Sequence, residues 1–88
     1  MSSMKEQAIR EYISKIDFNG DWKVSKIEED MRIFLGEIPG LNVIYKKDVM
    51  VNEVSGESKE FSAVNKIQIV FFDLDDKYKK LEFIVGGV

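Results

Sequence analysis

Three carboxylates, Asp73, Asp75 and Asp76, follow the most apolar run of the chain, Ile69-Val70-Phe71-Phe72. Acidic residues at the end of a strand can attack phosphorus, pass a proton, or gather oxygens around a divalent cation. They are the residues here whose types and spacing most suggest covalent chemistry, although a Ser–Lys or paired-carboxylate site is also chemically open to the chain. With no histidine and no cysteine, the chain lacks a neutral-pH imidazole base, a thiolate nucleophile and a thiolate metal site.

Apolar strand followed by Asp-x-Asp resembles the first motif of haloacid-dehalogenase-type phosphatases. There, the first Asp attacks phosphorus and the second handles protons. The likeness covers residues 69–76 only. Lys77 follows Asp76 at the point where that family soon places a Thr. Residues 77–88 read as one more strand, not as the Rossmann-like domain that carries the family's Lys and Mg²⁺ ligands. A strand entering a polar turn, where Asp is favoured, accounts for the same residues. Asp17-Phe18-Asn19-Gly20-Asp21 is loosely like a calcium loop but lacks the EF-hand ligand spacing, so it is read as a turn. Ser25, Ser55, Ser58 and Ser62 are explained by helix caps, turns and sheet positions. No glycine-rich turn joins a strand to a helix, as a phosphate loop requires. The expectation is a chain without catalytic residues, metal or cofactor.

The net charge of −3 disfavours non-specific binding to nucleic acid, which needs a basic surface. Only Arg10 and Arg32 of the 13 basic residues are arginines, which further lowers the expectation of bidentate phosphate recognition. Phe72 beside Lys80, and Tyr78 between Lys77 and Lys79, could form a stacking platform; Asp73, Asp75 and Asp76 in the same neighbourhood oppose it. No apolar run approaches the roughly 18 residues that span a bilayer, and the first residues carry no export signal. A cytoplasmic protein fits these features.

With 88 residues, 44% of them hydrophobic, the chain is expected to form one domain with a single core. Ser3 and Glu6 have capping-box spacing, and Ile9, Tyr12, Ile13 and Ile16 make one apolar stripe, predicting a helix over residues 4–16. Ser25 and Glu28 repeat the capping-box spacing before Ile27, Met31, Phe34, Leu35 and Ile38. Pro39-Gly40 then stops this second helix. From Leu41 the period becomes two. Leu41, Val43, Tyr45, Val49 and Val51 are assigned to one face, broken at Lys47. In the strand over 61–74, Phe61, Ala63, Ile67, Ile69 and Phe71 share a face. Three-residue loops at 55–57 and 75–77 place Val43 opposite Ile69 and Val51 opposite Phe61. On the third strand they place Leu81 opposite Phe71. Lys47 then meets Asn65, where a bend or bulge is expected. Residues 86–88 read as a frayed tail.

The predicted fold is α+β, with two N-terminal helices on one face of a three-stranded antiparallel meander (ααβββ). Ile44, Val70, Phe72, Leu74, Tyr78 and Ile84 then lie on the other face, with Ile44, Gln68 and Ile84 in one row. Such a mixed apolar surface is expected to bind a protein, either another chain or a second copy as a homodimer. Trp22 is assigned to the core. A non-catalytic protein-binding module, acting through the open sheet face or by strand addition at the edge strand over 78–85, is the function this pattern suggests. A small inhibitor or antagonist of a larger cytoplasmic complex, of the sort phages and mobile elements encode, would suit it. The alternatives are a homo-oligomeric accessory protein and a weak single-stranded nucleic-acid binder using the sheet.

Overall fold

The computed structural model describes residues 4–56, 58–73 and 77–87. Two helices, α1 (Met4–Ser14) and α2 (Val24–Leu35), precede three strands, β1 (Asn42–Ser55), β2 (Ser58–Phe72) and β3 (Tyr78–Gly87). The strands form one antiparallel sheet in the order β1-β2-β3. Both helices lay their stripes on the same sheet face. Ile9 and Ile13 of α1 and Ile27 and Met31 of α2 share one core with Ile67, Ile69, Phe71 and Leu81. The chain is therefore an α+β domain of ααβββ order.

Helix α1 stops at Ser14, two residues short of expectation, because Lys15 and Ile16 donate to carbonyls only three residues back, Tyr12 and Ile13. Asp17 then forms an Asx turn, its Oδ1 accepting from the Asn19 amide at 3.0 Å. Trp22 belongs to the core side. Its ring meets Tyr45 edge-on at 4.7 Å and Phe18 at 5.1 Å, and its indole N–H donates to the Phe18 carbonyl.

The capping box expected at Ser25 does not form. The N-cap is Lys23, without a side-chain cap bond, and Glu28 instead accepts from the Val43 amide of β1 at 3.3 Å. Ser3, the other expected cap, lies outside the described residues. Gly36, at φ 78°, ends α2 and donates to the Arg32 carbonyl. Ile38 is buried although it lies past the helix. Phe34 is exposed, yet its ring packs 5.2 Å from Tyr12.

Register follows expectation beside the helices and departs from it in both hairpins. Val43 faces Ile69 and Tyr45 faces Ile67 as predicted. The irregularity expected at Lys47 is present between Lys46 and Val49, with Asp48 at φ 55°. At the hairpin end Ser55 pairs with Ser58, a two-residue connection instead of three, with Gly56 at φ 62°. Beyond the bulge Val49 therefore pairs with Val64, and Val51 with Ser62. This corrects their assignment, since pairing with even-numbered β2 residues puts Val49 and Val51 on the face away from the helices. Phe61, expected on the core face, is exposed.

In the second hairpin Phe72 pairs with Tyr78 and Phe71 with Lys79, so β3 is displaced by two residues from the predicted register. Asp73 closes this loop. Its amide donates to the Lys77 carbonyl, and its Oδ1 accepts from the Lys77 amide. A two-residue displacement preserves faces but changes neighbours. Ile44 faces Gln68 as expected, but Gln68 faces Glu82, and Ile84 faces Lys66. The predicted row of Ile44, Gln68 and Ile84 therefore does not exist. Gly86 and Gly87, read as tail, pair with Asn65 and Val64.

Candidate protein-interaction face

The face opposite the helices is organised from a turn. Ile38-Pro39-Gly40-Leu41 is closed by the Leu41 amide on the Ile38 carbonyl, with Pro39 second and Gly40 third at φ 68°. That is the residue order of a type II turn, whose third position favours glycine. The same turn offers the Pro39 carbonyl to the Phe72 amide at 2.9 Å. Phe72 lays its ring over Gly40, where an added Cβ would stand 2.6 Å from the ring carbons. Tyr78, paired with Phe72, meets it edge-on at 5.7 Å. The rings remain 38% and 60% exposed. An aromatic pair is thus held at the end of the sheet by backbone geometry and kept in contact with water.

The middle of the face is polar and internally paired. Gln68, although nearly buried, donates its amide to Glu82 Oε1 at 3.2 Å. Glu82 also pairs with Lys80 at 3.3 Å and Lys66 at 3.6 Å. The Gln68 hydrogen bond, followed by Lys80, holds the Glu82 carboxyl below the usual range. This cluster separates the six residues predicted to form one patch. Phe72 and Tyr78 stand together at one end, with buried Val70 behind them. Ile84, 65% exposed, lies beyond Glu82 along β3. Ile44, half-buried on β1, faces Gln68. Leu74 lies outside the described residues.

Of the acidic group considered for catalysis, Asp75 and Asp76 also lie outside the described residues. Asp73 is committed to its turn and stands 3.8 Å from the Lys79 ammonium. Among the described residues no group of three acidic side chains could hold a metal ion. A shallow groove of about 550 Å³ between α1 and β3 contains Ser14, whose hydroxyl donates back to the Glu11 carbonyl at 2.7 Å. Among the described residues no helix is long and apolar enough to cross a membrane.

Sequence reasoning placed Phe72 and Tyr78 on this face by parity but missed Gly40, for which Pro-Gly after a helix is the available signal. The chain matches no protein-family model, no curated protein and no solved structure.

Proposed function

We propose that this chain is a non-catalytic protein-binding module that engages its partner through the Phe72–Tyr78 end of the open sheet face. The supporting observation is the aromatic pair itself, exposed, with Phe72 fixed by the Pro39-Gly40 turn and Tyr78 set edge-on against Phe72. Ordering a side chain on binding costs about 0.5–1.5 kcal/mol, and rings already held in place avoid much of that cost. Tyrosine and phenylalanine are also favoured at the centres of protein interfaces. The nearby lysines favour a protein over a nucleic acid as partner. Lys79 pairs with Asp73, and both Lys80 and Lys66 pair with Glu82, so their charge is largely neutralised locally. The edge-on ring geometry also offers no flat stacking platform. An inhibitor or antagonist of a larger complex is the form of such a module that best suits a short acidic chain.

The test compares immobilised wild type, Phe72→Glu and Ile33→Glu as bait, with thermal melts of each. Ile33 is 73% exposed on α2, away from the open face, and serves as the control. A partner retained by wild type and Ile33→Glu but lost by a folded Phe72→Glu is the expected result. Equal retention by all three would refute the assignment.

A further inference from the structure

The two edges of the sheet are not equivalent. On β1, the Val43 amide donates to Glu28 instead of across to Ile69, although those residues are paired. Val43–Ile69 is therefore a non-hydrogen-bonded pair, and Val43 directs its backbone polar groups outward. Glu28 thus blunts this edge, and the charged bulge over 46–48 interrupts it further along. The alternation also fixes β3. Odd-numbered residues of β2 bond toward β3, so Leu81 and Phe83, opposite Ile69 and Ile67, point inward. Tyr78, Lys80, Glu82 and Ile84 direct their amides and carbonyls outward. Among the described residues no hydrogen bond outside the sheet ladder reaches these groups.

We propose that β3 pairs antiparallel with β3 of a second copy about a two-fold axis at Leu81, making one continuous sheet across the dimer. Complementarity selects both the occupant and the register. Centred on Leu81, the pairing sets Lys80 opposite the second copy's Glu82, and Tyr78 opposite its Ile84, each contact occurring twice by symmetry. On the helix side Lys79 meets Phe83, whose ring already carries the Arg10 guanidinium at 5.5 Å, so that pair plays no part in selecting the register. Moving the strands by two residues, the smallest step that keeps faces and hydrogen-bond directions, sets Lys80 against Lys80 one way and Glu82 against Glu82 the other. Like charges directly opposite are destabilising. The Leu81-centred register alone among these avoids them while covering Tyr78 and Ile84, 60% and 65% exposed in the single chain. The pairing shares Tyr78 with the partner site proposed above and leaves Phe72, on β2, to that site.

The experiment is absolute mass by light scattering over a hundredfold concentration range, with thermal melts of each variant. Wild type is expected to dimerise. Lys80→Glu and Glu82→Lys are each expected to weaken association at least tenfold. An equimolar mixture of the two should recover the dimer, because one chain then presents two carboxylates and the other two ammonium groups. Glu82→Lys also disturbs Gln68 and Lys66. A second measurement therefore avoids that residue. The chain has no cysteine, so Tyr78→Cys/Ile84→Cys should give disulfide-linked dimers on mild oxidation, whereas Tyr78→Cys alone should not. Facing residues of a hydrogen-bonded antiparallel pair stand about 5.5 Å apart at Cα, within disulfide range. A wild-type monomer throughout, a mixture that stays monomeric, or equal cross-linking by the single cysteine variant would overturn the proposal. Phe72→Glu should remain dimeric while losing its partner, which distinguishes failure of this inference from failure of the proposed function.

Discussion

Replacing Gly40 by alanine probes the contact that organises the open face. Two costs are expected. A left-handed backbone costs an L-residue roughly 1–2 kcal/mol relative to glycine. The new methyl would also stand 2.6 Å from the Phe72 ring, and overpacking typically costs about 1–3 kcal/mol. Their sum, about 2–5 kcal/mol, is a large part of the roughly 4–13 kcal/mol expected for a domain of this size. Gly56 provides the comparison. Its φ of 62° is similar, but nothing lies within 4 Å of an added Cβ, so Gly56→Ala should lose only the backbone part, about 1–2 kcal/mol. Urea unfolding of both variants, read at the midpoint with unchanged slope, gives the difference directly. In a Phe72→Ala background the excess cost of Gly40→Ala should vanish, giving a coupling of about 1–3 kcal/mol in the double-mutant cycle. Equal losses for the two glycine variants, or no coupling, would refute the close approach of ring and backbone.

Substitutions at four further positions test other parts of the fold. The Tyr12 hydroxyl donates to Asp30 Oδ2 at 2.8 Å, so Tyr12→Phe should cost about 1 kcal/mol. Burial first, then the Asp30 hydrogen bond and charge, push the Tyr12 phenol from 10.0 up to about 12. A raised folded value means that its contribution is complete below pH 10 and lost as pH climbs toward 12. Tyr12→Phe should flatten that alkaline loss in urea midpoints measured against pH. The Tyr12 and Lys26 hydrogen bonds hold the Asp30 carboxyl below its usual range. Its contribution is therefore present above the unfolded value and lost as pH falls through the folded one, a loss that Asp30→Asn should remove. Glu28→Ala leaves the Val43 amide without its acceptor and should cost about 1–2 kcal/mol, with increased light scattering as the β1 edge is exposed; Glu28→Gln, which keeps an acceptor oxygen, should restore most of both. Asp48 occupies φ 55°, so Asp48→Gly should stabilise by about 0.5–1 kcal/mol, seen as a melting temperature a few degrees higher.

The parts of this fold that were legible in the sequence are those governed by period. Ile9 and Ile13, Ile27 and Met31, and Ile67, Ile69 and Phe71 recur at spacings only one geometry buries together, and they meet in one core. The bulge was legible as well, because Lys47 and Asn65 break the pattern on both strands at once. The hairpin loops were not, because individual hydrogen bonds and backbone angles set them. Asp73 takes the Lys77 amide, and Gly56 adopts a left-handed angle, so neither loop has the assumed length. Ser25 had the spacing of a cap, but Glu28 finds a partner across the fold on Val43 instead of at its own helix start. The same limit applies to the site. Parity placed Phe72 and Tyr78 on the open face, whereas Ile84 acquired Lys66 as neighbour only once the second loop was fixed.

The open face bears on whether its exposed aromatics signal a missing piece of core. On the helix side, Ile67, Ile69 and Phe71 are made dry by α1 and α2. On the other side no described element covers the sheet, yet Val70 is only 5% exposed and Gln68 and Val64 only 9%. These short or internally bonded residues of the central strand are flanked by Lys66, Lys80 and Glu82, whose heads pair at 3.3–3.6 Å. Long aliphatic stems can cover apolar surface while their charged heads stay in water. The centre of the face thus buries itself with side chains alone. An incomplete core would leave its middle wet, but here the middle is dry and the exposure falls at the Gly40 end and along β3. At the first the structure holds the Phe72 ring against backbone, and along the second no hydrogen bond outside the ladder reaches the outer strand groups among the described residues. On this face, exposure at such prepared positions is more consistent with association than with a fold awaiting a missing segment; Met50 and Phe61, 61% and 66% exposed, stand apart on the β1–β2 hairpin beyond the bulge.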